Sequence, residues 1–128
     1  MEITVSQEQG RVPVTVVHVK GNLDSTSYEQ FQMRVESLIK HGSSNILLDL
    51  HDVPYMSSAG LRSLNQLYNQ LKDEDKSTVS KGVSAGTYKA AHLKLLSPTK
   101  RVQETLKMSG FDMFLESYSH LKDALAAF

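Results

Sequence analysis

The side chains with the clearest chemical opportunity are two adjacent serines, Ser57 and Ser58, in the stretch VPYMSSAGLRSL spanning residues 53–64. They follow an apolar approach and precede Gly60 and a run of leucines at helical spacing. Three chemistries suit a hydroxyl in that setting. It can cap a helix by accepting an N–H of the first turn. It can act as a nucleophile on a strand-to-helix turn, the context in which a G-x-S-x-G motif works. It can also carry a phosphate, because the unpaired N–H groups and the positive dipole end of a helix start favour anions. For the nucleophile, Met56 stands where a strained elbow needs a small residue. Asp112 and His120 follow in triad order, but in what read as a surface turn and a helix start.

Other candidate groups point to no cofactor. The histidines at 18, 41, 51, 92 and 120 are scattered without a metal-ligand spacing, so no metal site is expected. His18 alternates with valines and reads as an exposed strand residue. The stretch SKGVSAG has glycines but lacks the G-x-x-x-x-G-K-[ST] spacing of a phosphate loop. The absence of cysteine removes disulfides, thiol catalysis and thiolate metal ligands, and suits a reducing cytoplasm.

Composition narrows the class further. A chain of 128 residues fits one domain with a real core, residues 1–128, and 40% apolar with 22% charged residues is ordinary for a globular protein. Basic and acidic residues number 14 each, so the formal charge is zero and nothing favours a polyanion; no nucleic-acid partner is expected. The start MEITVSQEQG is not a targeting segment, and no apolar run approaches the roughly 18 residues of a membrane span. A soluble cytoplasmic protein is the expectation.

The elements that must position the serines follow from periodicity. Ile3 to Ser6 and Val14 to Lys20 are β-branched runs around Gly10 and read as a hairpin, with Pro13 at the beginning of its strand or on an edge. Tyr28, Phe31, Val35, Leu38 and Ile39 define an amphipathic helix after the start signal Asp24, Ser25, Thr26 and before Gly42. NILLDL reads as a strand covered on both faces. Leu61, Leu64, Leu67, Tyr68 and Leu71 predict a second helix with Ser57 or Ser58 as its cap. Residues 73–91, polar and without an apolar face, read as a long flexible loop. HLKLLS is a further strand, Ser97-Pro98 opens a helix that ends at Gly110, the apolar FDMFLE is a short extended piece, and a last helix follows Ser117 or Ser119. The order is β-β-α-β-α-β-α-(β)-α, an α/β sandwich on a mixed sheet.

Three stretches carry a family resemblance: VKGNLDSTS, NILLDLHDVPYMSSAGLRSL and SPTKRVQETLKMSGFDMFLE. Together they resemble the STAS domain, in its bacterial anti-sigma factor antagonist form. The resemblance implies a binding module without catalysis or cofactor of its own. It implies that Ser58, two places before Gly60, is phosphorylated by a partner serine kinase, with Ser57 as the fallback acceptor. Asp24, Ser57, Ser58, Gly60 and Leu61 would then line the partner-binding surface. The implied partners are an anti-sigma factor that is also the kinase, bound by the unmodified protein, and a serine phosphatase; ATP belongs to the kinase. The chain departs from the family pattern where Ser57 replaces a common acidic residue, where Asn22 replaces the acidic residue of G-E-L-D, and in the length of 73–91. Two other functions compete: a STAS module of another complex, such as a transporter accessory or stressosome-like scaffold, and a small serine hydrolase.

Overall fold

The computed structural model describes residues 1–72 and 90–128. The β-branched runs around Gly10 form an antiparallel pair, β1 (Glu2–Gln9) and β2 (Pro13–Lys20), the first strand extending past the predicted Ser6. Pro13 opens β2 opposite Gln9, at a strand end that tolerates a missing N–H. The chain then alternates: α1 (Tyr28–Lys40), β3 (Ile46–Asp52), α2 (Ser58–Lys72), β4 (Leu93–Leu96), α3 (Lys100–Ser109), β5 (Ser117–Tyr118) and α4 (Leu121–Ala126). This is the predicted mixed α/β architecture. Most of the loop expected at 73–91 falls outside the described residues; at its far end Ala90 is buried and donates its N–H to the Phe114 carbonyl at 2.8 Å.

The sheet runs β1-β2-β3-β4-β5, with β2 through β5 parallel. Each parallel strand is laid beside the previous one in the same direction, so right-handed crossovers must all return over the same face. α1, α2 and α3 therefore cover one side. There Val17, Leu48 and Leu95 from the strands meet Phe31, Leu64 and Val102 from the helices in one apolar cluster. Among the described residues, the opposite face has only α4 over it, where Val14, Val16, Leu47 and Leu96 pack with Ala124.

The last third departs from the sequence expectation. α3 starts after Thr99, whose hydroxyl accepts the Val102 N–H at 3.3 Å, and not at Ser97-Pro98; Ser97 is in a left-handed conformation with φ 50°. Gly110 ends α3 at φ 82°, as predicted, and turns the chain straight into a 3-10 turn, Phe111–Met113. FDMFLE is thus not a strand. Its rings pack inward instead, Phe114 lying 5.3 Å from Phe111 and 4.8 Å from Tyr68. Strand pairing passes to Ser117–Tyr118, so Ser117 is not a helix cap, and α4 follows His120 without a side-chain cap.

Candidate functional site

The two serines at the start of α2 do different things. Ser57 is the cap: its Oγ accepts the N–H of Ala59 at 3.2 Å and of Gly60 at 3.5 Å, and its carbonyl accepts the N–H of Leu61 at 3.0 Å. Ser58 is the first helical residue, exposed, and its hydroxyl makes no hydrogen bond among the described residues. One hydroxyl is spent on the helix start. The other faces outward beside the first-turn N–H groups.

The segment carrying them is sewn to its neighbours. Leu23 forms a parallel bridge with Met56, donating its N–H to the Tyr55 carbonyl and accepting the Ser57 N–H, both at 2.9 Å. Asp24 and Ser58 each lie one residue beyond that seam. Gly60 is required by it: a Cβ there would fall 2.8 Å from the Leu23 carbonyl oxygen and 2.8 Å from Met56 Cγ. Thr99 adds the third loop, its hydroxyl donating to the Val53 carbonyl at 3.0 Å, and the Arg101 guanidinium lies 5.3 Å from the Tyr55 ring centroid. Asp24 is held by a local turn, with Oδ1 accepting from the Thr26 backbone N–H at 2.9 Å and hydroxyl at 2.6 Å. Those bonds, with weaker ones from Ser27, keep its carboxyl below the ordinary value against a small opposing effect of burial. It therefore stays charged. Ser27 occupies the cap position of α1, yet its hydroxyl donates to the Asn22 carbonyl at 2.6 Å and accepts the Asp24 N–H at 3.1 Å.

All three loops leave the carboxyl ends of parallel strands. In open α/β sheets, ligand crevices form where strand order reverses. Here the order of β2 to β5 never reverses, so the loops form a surface rather than a cleft. A groove of about 830 Å³ does exist beside it, between α3 and β5, lined by Ser97, Lys100, Gln103, Lys107, Asp112 and Tyr118, but Asp24, Ser57, Ser58, Gly60 and Leu61 do not border it.

Asp24, Ser57, Ser58 and Gly60 are thus brought together. Leu61 is half-buried and packs against the large apolar cluster, which ties the first turn of α2 to the core. Asp112 lies in the 3-10 turn and His120 just before α4, and neither is hydrogen-bonded to Ser57 or Ser58 among the described residues. No grouping of three or more His, Cys, Asp or Glu side chains suited to a metal occurs among the described residues, and no helix there is long and apolar enough to cross a membrane.

His18 is not the simple exposed residue expected from alternation. The parallel register sets it beside Asp49, and its Nδ1 meets Asp49 Oδ2 at 2.8 Å while Nε2 meets the Ser6 hydroxyl at 3.0 Å. His51 approaches the same carboxylate from two residues along β3, Nδ1 to Oδ1 at 2.7 Å. Burial pushes the Asp49 carboxyl up, but hydrogen bonds from His51 and His18 outweigh it and leave it below the ordinary value. Strand parity held the clue: once β2 and β3 are parallel with Thr15 beside Ile46, His18 and Asp49 share a face.

Fold and surface define an interaction domain, non-enzymatic in its class. The chain belongs to the STAS domain family, whose family model matches residues 4–84. No curated protein matches the sequence. Among solved structures, it is similar to an anti-sigma factor antagonist (STAS) domain protein from Planctomyces limnophilus, with 21% identity, 98% of this chain and 95% of that chain covered, and a TM-score of 0.73. An anti-sigma factor antagonist from Mycobacterium paratuberculosis matches at 22% identity, 98% and 93% coverage and a TM-score of 0.71. The Bacillus cell-fate determinant SpoIIAA in its phosphorylated form matches at 14% identity, 96% coverage of each chain and a TM-score of 0.62. At these identities the likeness is one of fold.

Proposed function

We propose that this protein is a cytoplasmic anti-sigma factor antagonist that works by switching partners. Unmodified, it docks an anti-sigma factor that is also a serine kinase; phosphorylation of Ser58 ends the complex, and a serine phosphatase restores it. The observation that carries this reading is the division of labour at the start of α2. Ser57 is committed to the cap, while the Ser58 hydroxyl is exposed and without a hydrogen bond among the described residues, one residue beyond the seam between the loops. Asp24, Gly60 and Leu61 serve the same surface, Asp24 as a fixed charge and the other two by holding the first turn in place.

Electrostatics supply the switch. A phosphate on Ser58 adds a charge of about −1.5 to −2 at pH 7 together with three acceptor oxygens. An isolated domain accommodates it at a solvent-facing helix start. A docked partner must desolvate it, and a buried charge left unpaired costs several kcal/mol. About 2.7 kcal/mol already weakens binding a hundredfold.

The test is intact-mass spectrometry with site mapping on protein isolated from its native cells, beside a Ser58→Ala variant. Phosphate mapped to Ser58 and missing from the variant is the expected result. Protein that carries no phosphate under any growth condition overturns the switch. A pull-down that recovers a transport ATPase and no kinase moves the domain to another complex.

A further inference from the structure

The part of this sheet face that α4 leaves open among the described residues carries a cluster of titratable side chains at the end nearest the loops. Asp49 is only 6% exposed, and among the described residues no lysine or arginine pairs with it. Its two oxygens take His18 and His51 instead, each through Nδ1, at 2.8 and 2.7 Å. His51 also turns Nε2 to Asp52 Oδ2, at 3.1 Å. An ionised carboxylate has no proton to give, so a ring meeting carboxylates through both nitrogens must donate twice, which only the imidazolium does. His18 differs, because its Nε2 faces a hydroxyl, Ser6, that can donate; a neutral ring satisfies both of its partners.

Asp52 is where the cluster touches the loops. Its carbonyl accepts the Gly21 N–H at 3.0 Å, so the β2–α1 loop begins against it, and the turn leading to Ser58 leaves from Val53, the next residue. Other charged groups on this side among the described residues include Lys20, aligned with Asp52 across the β2–β3 pair, Glu2 opposite Lys20 on β1, Glu8 farther along β1 opposite Val14, and Lys94 on β4, which is committed to Glu116 at 2.9 Å.

We propose that His51 is a proton-operated staple: as imidazolium it ties Asp52, at the root of both loops, to the buried Asp49, and on losing its proton it releases Asp52 and loosens the loops. The hydrogen bond and charge of Asp49, joined by the charge of Asp52, raise the His51 pKa above its ordinary 6.5 against the effect of burial. A raised histidine contributes stability that is complete below about pH 6.5 and is lost as pH climbs through the folded-state value. The lowered Asp49 contributes stability present above its ordinary 3.8 and lost as pH falls through its folded-state value. The staple therefore holds between the folded-state values of Asp49 and His51 and opens as pH climbs through the latter, which lies above 6.5. This inference stands whether or not Ser58 is ever phosphorylated.

The test is an NMR pH titration of the 15N-labelled full chain, following the His51 ring nitrogens and the amides of Gly21, Leu23, Ser57 and Gly60, in the wild type and in Asp52→Asn and His51→Gln variants. The expected result is a His51 midpoint above 6.5, loop amides that titrate with it, a downward shift of both in Asp52→Asn, and loss of that loop transition in His51→Gln. A His51 midpoint at or below 6.5, loop amides that ignore it, or a midpoint unmoved by Asp52→Asn overturns the staple.

Discussion

The two faces of the sheet solve the burial problem differently. One is covered by three crossover helices and is apolar from β2 to β4; Val17, Leu48 and Leu95 find Phe31, Leu64 and Val102 above them. Among the described residues, the other is covered over one end by the six-residue α4, and the remainder replaces hydrocarbon with a buried carboxylate and two imidazoles. The difference follows from topology. A strand order that never reverses sends every right-handed crossover to one side, and the side left over must satisfy its polar groups laterally, strand to strand. The three-helix face holds most of the apolar burial among the described residues, while the other carries the histidine and carboxylate cluster.

Adjacent residues of β3 give the sharpest way to break that contrast. Leu48 and Leu47 are both fully buried but point to opposite faces. Buried leucine-to-alanine changes cost about 2–5 kcal/mol, more where the cavity cannot collapse. Leu48→Ala should fall in the upper part of that range and Leu47→Ala in the lower, because a short helix settles over a gap more easily than three packed ones. Urea unfolding of both variants decides it, and equal costs would mean that the second face is as well packed as the first.

Two glycines sharpen the comparison at smaller energies. A Cβ on Gly60 would meet the Leu23 carbonyl at 2.8 Å, and one on Gly10 would meet the Leu125 carbonyl at 2.7 Å. The clashes are nearly equal but their surroundings are not. Leu23 is locked by two backbone hydrogen bonds and full burial, whereas Leu125 belongs to the small helix on the thinly covered face. Overpacking of this kind costs about 1–3 kcal/mol, partly offset in α2 by the roughly 1 kcal/mol by which alanine exceeds glycine in helix propensity. Gly60→Ala should destabilise the domain and shift the amides of Leu23 and Ser57, with Gly10→Ala milder and confined to α4. Thermal unfolding with amide chemical shifts reads both, and a silent Gly60→Ala would remove the seam as the reason for that glycine.

The covered face was legible in the sequence because its signals are periodic. Phe31 and Val35, then Leu64, Leu67 and Leu71, declare their helices, and ILLDL between them declares a buried strand. Ser57 and Ser58 were legible as a helix start because caps are local. Which of them caps was not, since either offers the same oxygen and only the backbone path from the Leu23 bridge selects Ser57. The histidine cluster was invisible for another reason: His18 and Asp49 are 31 residues apart and meet only through the register of a parallel pair. FDMFLE misled because apolar content does not distinguish an extended strand from a turn whose rings pack inward, and it was the left-handed Gly110 that sent the chain into the turn.

The smallest energies separate the two serines, and they bear most directly on function. Ser57→Ala removes a cap and should cost about 1 kcal/mol. Ser58→Ala removes an exposed hydroxyl with no hydrogen bond among the described residues, and should change stability by no more than about 0.5 kcal/mol. If Ser58 is the phosphoacceptor, the Ser58→Ala protein folds as well as the wild type, binds its partner and resists the kinase, whereas Ser57→Ala is less stable yet still a substrate. Chemical denaturation read alongside phosphorylation of both variants joins the structural and functional assignments in one experiment. A reversed pattern, with Ser58→Ala destabilised and Ser57→Ala resistant to the kinase, would exchange the roles of the two hydroxyls. The phosphate would then fall on the residue whose backbone N–H bonds to Leu23, and modification would act by unpicking the seam between the loops instead of by charging the surface outside it.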